Sequence, residues 1–203
     1  MSNHNPVQDN EQKIESLVRE LHEVFREEGI NKPLDKAKWR EYVAAKKLGH
    51  EVHKKASAGI LSAQYGSDAK DLKSKKMHEY KSKTMNPKQE NQFRSGTFNG
   101  KVGMVYNGAY KKNAIQRYRQ ITHNLTLFSE KTGECIAIVE VPVQEVERQL
   151  ASNLAKKELE ISQGKKVTTN CNTVNVQFNN SVPIIGKIVW LDSSMKSKKQ
   201  ERT

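Results

Sequence analysis

Asp68, Glu79 and Lys81 are the residues of this 203-residue chain whose types and spacing carry the most chemistry. They lie in two short runs, Gly66-Ser67-Asp68-Ala69-Lys70-Asp71 and Glu79-Tyr80-Lys81-Ser82, joined through Lys73-Ser74-Lys75-Lys76. Side chains alternate along an extended strand, so Glu79 and Lys81 share one face while His78 and Tyr80 share the other. A turn over the lysine-rich joint folds Asp68 back beside Glu79. Two adjacent carboxylates repel each other unless a cation lies between them, and hard oxygen donors suit Mg2+. Lys81 cannot bind that cation. Its ammonium instead orients or activates an attacking water and stabilises charge on a phosphoryl oxygen. Alone, an E-x-K triplet is most often a solvated ion pair; the Gly-x-Asp turn and the second acid set this one apart.

The rest of the composition agrees with phosphate chemistry. Lys and Arg number 35 against 23 Asp and Glu, a net charge of +12, and such an excess favours a polyanionic partner through counterion release. No apolar run has the length of a membrane span, and residues 1–10 lack a signal peptide's apolar segment, so a cytoplasmic protein without a membrane partner is expected. Cys135 and Cys171 form no C-x-x-C pair and read as buried or inert thiols. His50, His53, His78 and His123 fit no metal-binding motif and read as structural or exposed. A P-loop and a G-x-G-x-x-G run are both lacking, so no nucleotide cofactor is expected.

The elements that must position these residues follow from periodicity. Ile14, Leu17, Val18, Leu21, Val24 and Phe25 predict an amphipathic helix over 11–29, whose apolar stripe packs on its own domain or against a second copy. A second helix starts at Asp35 and stops at Gly49. Strands are predicted around Val52, over Met77 to Thr84, at Leu125 to Leu127, over Glu134 to Val143, at Val174 to Phe178, and as one piece from Pro183 to Leu191. Gln144 to Ser162 is helical, with Val146, Leu150 and Leu154 inward. Residues 86–113, rich in Asn, Gly and Lys, read as long exposed loops, and a short helix is expected over Asn113 to Tyr118. The order describes an α/β (mixed α+β) single domain with a central mixed sheet flanked by helices.

The Gly66 to Asp71 turn and the Glu79-Tyr80-Lys81-Ser82 strand resemble the PD-(D/E)XK nuclease superfamily, and within it the type II restriction endonucleases of the PvuII type. Downstream, Ile115-Gln116-Arg117-Tyr118-Arg119-Gln120 is similar to that type's Y-R-Q segment, and Phe178-Asn179-Asn180-Ser181-Val182-Pro183 to its approach to a late strand, with the order kept over 66–190. The resemblance implies a restriction-endonuclease-like core and Mg2+-dependent cleavage of double-stranded DNA by a homodimer. It implies that Asp68 and Glu79, with the Tyr80 backbone carbonyl, hold Mg2+, that Lys81 is catalytic and that Tyr118 lies near the scissile phosphate. Asp71 is the alternative first carboxylate. The stretch between Lys81 and Tyr118 is longer than in that type and has no histidine cluster, so base recognition is expected to differ. A repair or junction nuclease on the same core, or a DNA-binding protein without catalysis, are the other readings.

Base reading needs donors and acceptors at the groove edges. Asn99 and Lys101 through Lys111, Lys112 and Asn113 are the first candidates, with Ser82 and Lys83 beside the catalytic strand and Asn179 and Asn180 as a late pair. The organisation expected is an N-terminal dimerisation helix in 1–34, a nuclease domain over 35–192 with its recognition loops at 86–113, and a basic flexible tail over 193–203.

Overall fold

A six-stranded mixed sheet organises the chain. The computed structural model describes residues 6–27, 36–52, 67–106, 118–167 and 172–196. Helix α1 (Pro6–Glu27) and helix α2 (Lys36–Lys47) come first, and Gly49 ends α2 in the left-handed region (φ 71°), as its sequence position predicted. Strands β1 (Glu51–Val52), β2 (Ala69–Lys70), β3 (Met77–Met85), β5 (Ile121–Ser129), β6 (Cys135–Val141) and β9 (Lys187–Leu191) form the large sheet in the order β1-β2-β3-β5-β6-β9. Among the described strand pairs of this sheet, only β3–β5 is parallel. Parallel neighbours need a crossover, supplied here through α3 (Pro87–Arg94) and β4 (Gly100–Val105). Strand β4 pairs with β7 (Thr173–Asn179), and β7 with β8 (Val182–Pro183), in a second, three-stranded sheet. Helix α4 (Val143–Ser162) buries Val146 and Leu150 and packs Leu154 against the core, as expected. The result is a mixed α+β fold in which helices flank a mixed sheet.

Two apolar clusters cover opposite faces of the large sheet. Met85, Leu125, Leu127, Val139, Val146 and Leu150 meet Val102, Met104, Val174, Val176 and Phe178 of the small sheet in one. Tyr80, Phe128 and Ile138 meet Val43, Ala44 and Ala45 of α2 in the other. Each fully buried Leu or Phe contributes about 1.5–3 kcal/mol, enough to fix the strand register that places the site.

Three sequence expectations need correction. The stretch 86–113 is not a run of exposed loops where it is described. Asn86 caps α3 through a reciprocal capping box with Gln89, Pro87 occupies the first turn, and Phe93, Phe98 and Tyr106 are buried. Short polar elements carrying one aromatic each escape a periodicity reading. The apolar run from Pro183 to Leu191 is two strands in different sheets. Gly186 breaks it, at φ 99° and so close to the Glu140 carbonyl that a Cβ would lie 2.4 Å from its oxygen. Residues 193–196 are not a flexible tail, because a helical turn, α5 (Ser193–Lys196), buries Met195 in the core and Ser194 accepts from Arg94 at 2.7 Å; 197–203 lie outside the described residues.

Helix α1 contacts its own domain through Arg19–Glu134 (3.1 Å) and Glu15–Lys47 (3.2 Å), while Ile14 and Leu17 stay exposed. Buried Cys135 has its thiol pushed up to about 12 by desolvation, in line with an inert thiol; Cys171 lies outside the described residues, as does His53. No described helix is long and apolar enough to cross a membrane.

Candidate active site

The β2–β3 hairpin delivers two of the three residues. Asp71 builds its turn, accepting from the Lys73 amide at 2.9 Å and from the Ser74 hydroxyl, while its own amide donates to the Lys76 carbonyl at 2.9 Å. Lys75 adopts φ 61° within that turn. The register pairs Ala69 with His78 and Lys70 with Met77. One residue earlier, the Asp68 amide donates to the His78 carbonyl at 2.8 Å, and Asp68 Oδ2 accepts from the Tyr80 amide at 2.8 Å. A residue's N–H and C=O project to the same strand edge, so the Tyr80 carbonyl also faces the Asp68 side.

Glu79 and Lys81 share a face of β3 and form an ion pair. The Glu79 side chain is only 6% exposed, and its Oε2 is buried without a hydrogen-bond partner. Burial, then the neighbouring charge of Asp68, raises the Glu79 pKa, with Lys81 opposing both. For Lys81 burial pulls downward, but the charges of Glu79 and Asp68 prevail and its pKa is raised. The two aspartates differ in their surroundings. Asp68 acts electrostatically on Glu79, whereas the Asp71 carboxylate is engaged in the turn and lies with His50 and His78.

A buried aromatic group backs the lysine. Lys81 Nζ sits 5.3 Å from the centre of the Tyr106 ring, and Tyr118 packs edge-on against Tyr106 at 4.9 Å. Tyr118 also raises the Lys81 pKa electrostatically, after the larger effects of Glu79 and Asp68. His123, the cross-strand neighbour of Glu79, bonds the Tyr118 carbonyl through Nε2 at 2.9 Å and the Tyr106 hydroxyl through Nδ1 at 3.0 Å. A carbonyl only accepts, so Nε2 carries the proton. Burial holds the His123 pKa down to about 4, which leaves Nδ1 as the acceptor of the Tyr106 O–H. Tyr106 and His123 were not singled out as site residues from sequence. Alternation along β5 would have put His123 inward, but its pairing with Tyr106 has no local signal.

No family model and no curated protein matches this sequence.

The expected DNA-reading residues fall in several places. Asn99 and Asn180 meet at one end of the small sheet, where the Asn180 amide donates to Asn99 Oδ1 at 3.0 Å. Exposed Asn179 and Lys101 flank them. Tyr106, beside Lys81, is at the other end of β4, roughly 20 Å away at strand rise, so this group does not join the carboxylates. By alternation Lys83 lies on the face of Lys81, whereas Ser82 lies on the opposite face, toward α2, and does not reach the cluster. Lys111, Lys112 and Asn113, like Ile115 to Arg117 and Gly66, lie outside the described residues. Tyr118 opens a 3-10 turn, Tyr118–Gln120.

His78 and His123 are buried, as a structural reading expects. His50 and His78, 28 positions apart, also converge with Asp71 so that one ligand atom from each lies within 4.8 Å of the others. Strand pairing, not sequence spacing, makes that group.

Proposed function

We propose that the chain is a Mg2+-dependent endonuclease built on a PD-(D/E)XK core, a type II restriction endonuclease that hydrolyses phosphodiester bonds in double-stranded DNA as a homodimer. The observation that carries this reading is the buried, unpartnered Glu79 Oε2 beside Asp68 and Lys81. An orphaned carboxylate oxygen under the influence of a second carboxylate is costly unless a cation satisfies it. Asp68, Glu79 and the Tyr80 carbonyl are all hard oxygen donors, a set that fits Mg2+. Bound there, Mg2+ supplies positive charge against the scissile phosphate and acidifies water.

The chain's own residues do the remainder. Lys81, held by Glu79 and backed by the Tyr106 face, presents its ammonium toward the reacting phosphate and orients the attacking water. Tyr106, Tyr118 and His123 shield the lysine from bulk solvent, which strengthens its field. The surplus of +12 offsets the repulsion between two carboxylates and a polyanion. Exposed Ile14 and Leu17 on α1 supply the apolar surface for the homodimer, in which each copy serves one strand. Wild type sedimenting as a monomer with and without DNA would remove that element.

The test is plasmid DNA with Mg2+. Wild type is expected to give discrete fragments. Lys81→Ala is expected to cut at least about 10²–10³-fold more slowly while still binding DNA in Ca2+. Cleavage by Lys81→Ala at the wild-type rate would refute the active-site assignment. Cutting confined to branched DNA would point to a junction nuclease, and a gel shift without cleavage to a binding protein.

A further inference from the structure

The face of β3 opposite Glu79 carries a second group of potential ligands. His78 is 6% exposed and projects there, His50 follows α2, and Asp71 sits at the hairpin turn. Their ligand atoms lie within 4.8 Å of one another around a cavity of ≈ 310 Å³, which Ser74, Thr122 and Asn124 also line. A four-coordinate ion holds its donors about 3.4 Å apart at bond lengths of about 2.0–2.1 Å, a distance within reach of small side-chain rotations.

We propose that His50, Asp71 and His78 form a binding site for a zinc-class divalent ion, distinct from the carboxylate pair across the strand. Two imidazoles and one carboxylate are a donor set of borderline softness, which selects zinc over Mg2+. Each ring has its Nδ1 engaged. His50 Nδ1 bonds the Tyr80 hydroxyl at 2.6 Å, and His78 Nδ1 faces the Asn124 amide at 3.2 Å. That leaves Nε2 of each ring for the ion, with Nδ1 held by a neighbour as is usual for histidine ligands.

One orphaned atom points the same way. His78 Nε2 is buried without a hydrogen-bond partner. Asn124 Nδ2 also donates to the Glu79 and Thr122 carbonyls, each at 3.4 Å, so it does not depend on His78 Nδ1; with the ring proton on Nδ1, Nε2 presents its lone pair to the ion. Lys76 and Glu140, of opposite charge, line the same cavity. An ion here ties α2's end and the hairpin turn to β3, so its role is to clasp the hairpin that carries Asp68.

Zn2+ titration of the full chain against a competing chelator, with X-ray absorption at the zinc edge, tests this. Wild type is expected to bind one ion per chain, to show two imidazole ligands, and to melt at a higher temperature when loaded. His50→Gln and Asp71→Asn, both at half-buried positions, are each expected to weaken binding at least tenfold and to remove the thermal shift. Glu79→Gln is expected to keep the zinc affinity while losing cleavage, which separates this site from the proposed catalytic one. Failure of wild type to bind Zn2+, unchanged affinity in both His50→Gln and Asp71→Asn, or loss of affinity in Glu79→Gln would each overturn the proposal.

Discussion

On one face of β3, Glu79 and Lys81 are held as opposite charges beside Asp68, with a carboxylate oxygen left unpaired. On the other, a single residue away in sequence, His78 and Tyr80 are buried against His50 and α2 with their protons fixed by neutral partners. The first face buries opposite charges with one oxygen unpaired; the second buries neutral rings against the core and meets the Asp71 carboxylate only at the hairpin turn. The difference teaches what kind of chemistry each face suits. A charge kept under burial with incomplete pairing is hard to explain by packing, whereas neutral imidazoles beside one carboxylate suit a borderline metal ion.

The largest test of this contrast is Glu79→Gln. Removing the charge is expected to lower cleavage at least about 10²–10³-fold, while the melting temperature does not fall, because a buried carboxylate with an orphaned oxygen and a like-charged neighbour is lost. A marked drop in melting temperature would make the first face structural after all. Next comes pH. An unfolded histidine titrates near 6.5, whereas His123 in the folded chain is held down to about 4. Between those values the unfolded chain binds the extra proton, so the stability present above about 6.5 is lost as pH falls toward 4, at most about 3 kcal/mol from this residue. Thermal melts at pH 7 and pH 5 should show the loss, and His123→Gln should shrink it; an equal loss in the variant would clear His123. The smallest effect is Phe128→Leu, on the α2 face under the Arg40 guanidinium. It is expected to cost roughly 1–2 kcal/mol in denaturant unfolding and to leave cleavage by the folded fraction unchanged. A loss of cleavage would mean that the two faces are coupled.

Much of the hairpin was legible in the sequence. The alternation of His78, Glu79, Tyr80 and Lys81 is a property of any strand, and Lys73 to Lys76 is a turn by composition. The α4 stripe at Val146, Leu150 and Leu154 and the Gly49 stop were equally local signals. The errors came where local and global cues part. Asn86-Pro87 is a helix start hidden in a polar stretch, and Gly186 divides an apolar run because the Glu140 backbone passes beside it. Tyr106 and His123, 17 positions apart, meet only because β4 and β5 belong to sheets packed on one core.

From its residues alone this chain is basic, carries two acids and a lysine at a spacing that strand alternation and one turn must bring together, and has a core of modest size. Those features need only nearest-neighbour geometry, which each short segment specifies for itself. Which aspartate stands beside Glu79, which aromatic ring backs Lys81, and that His50 meets Asp71 and His78 depended on the packed sheet. Such meetings are set by register and burial across tens of residues, and the free energy that selects them is shared over the whole core.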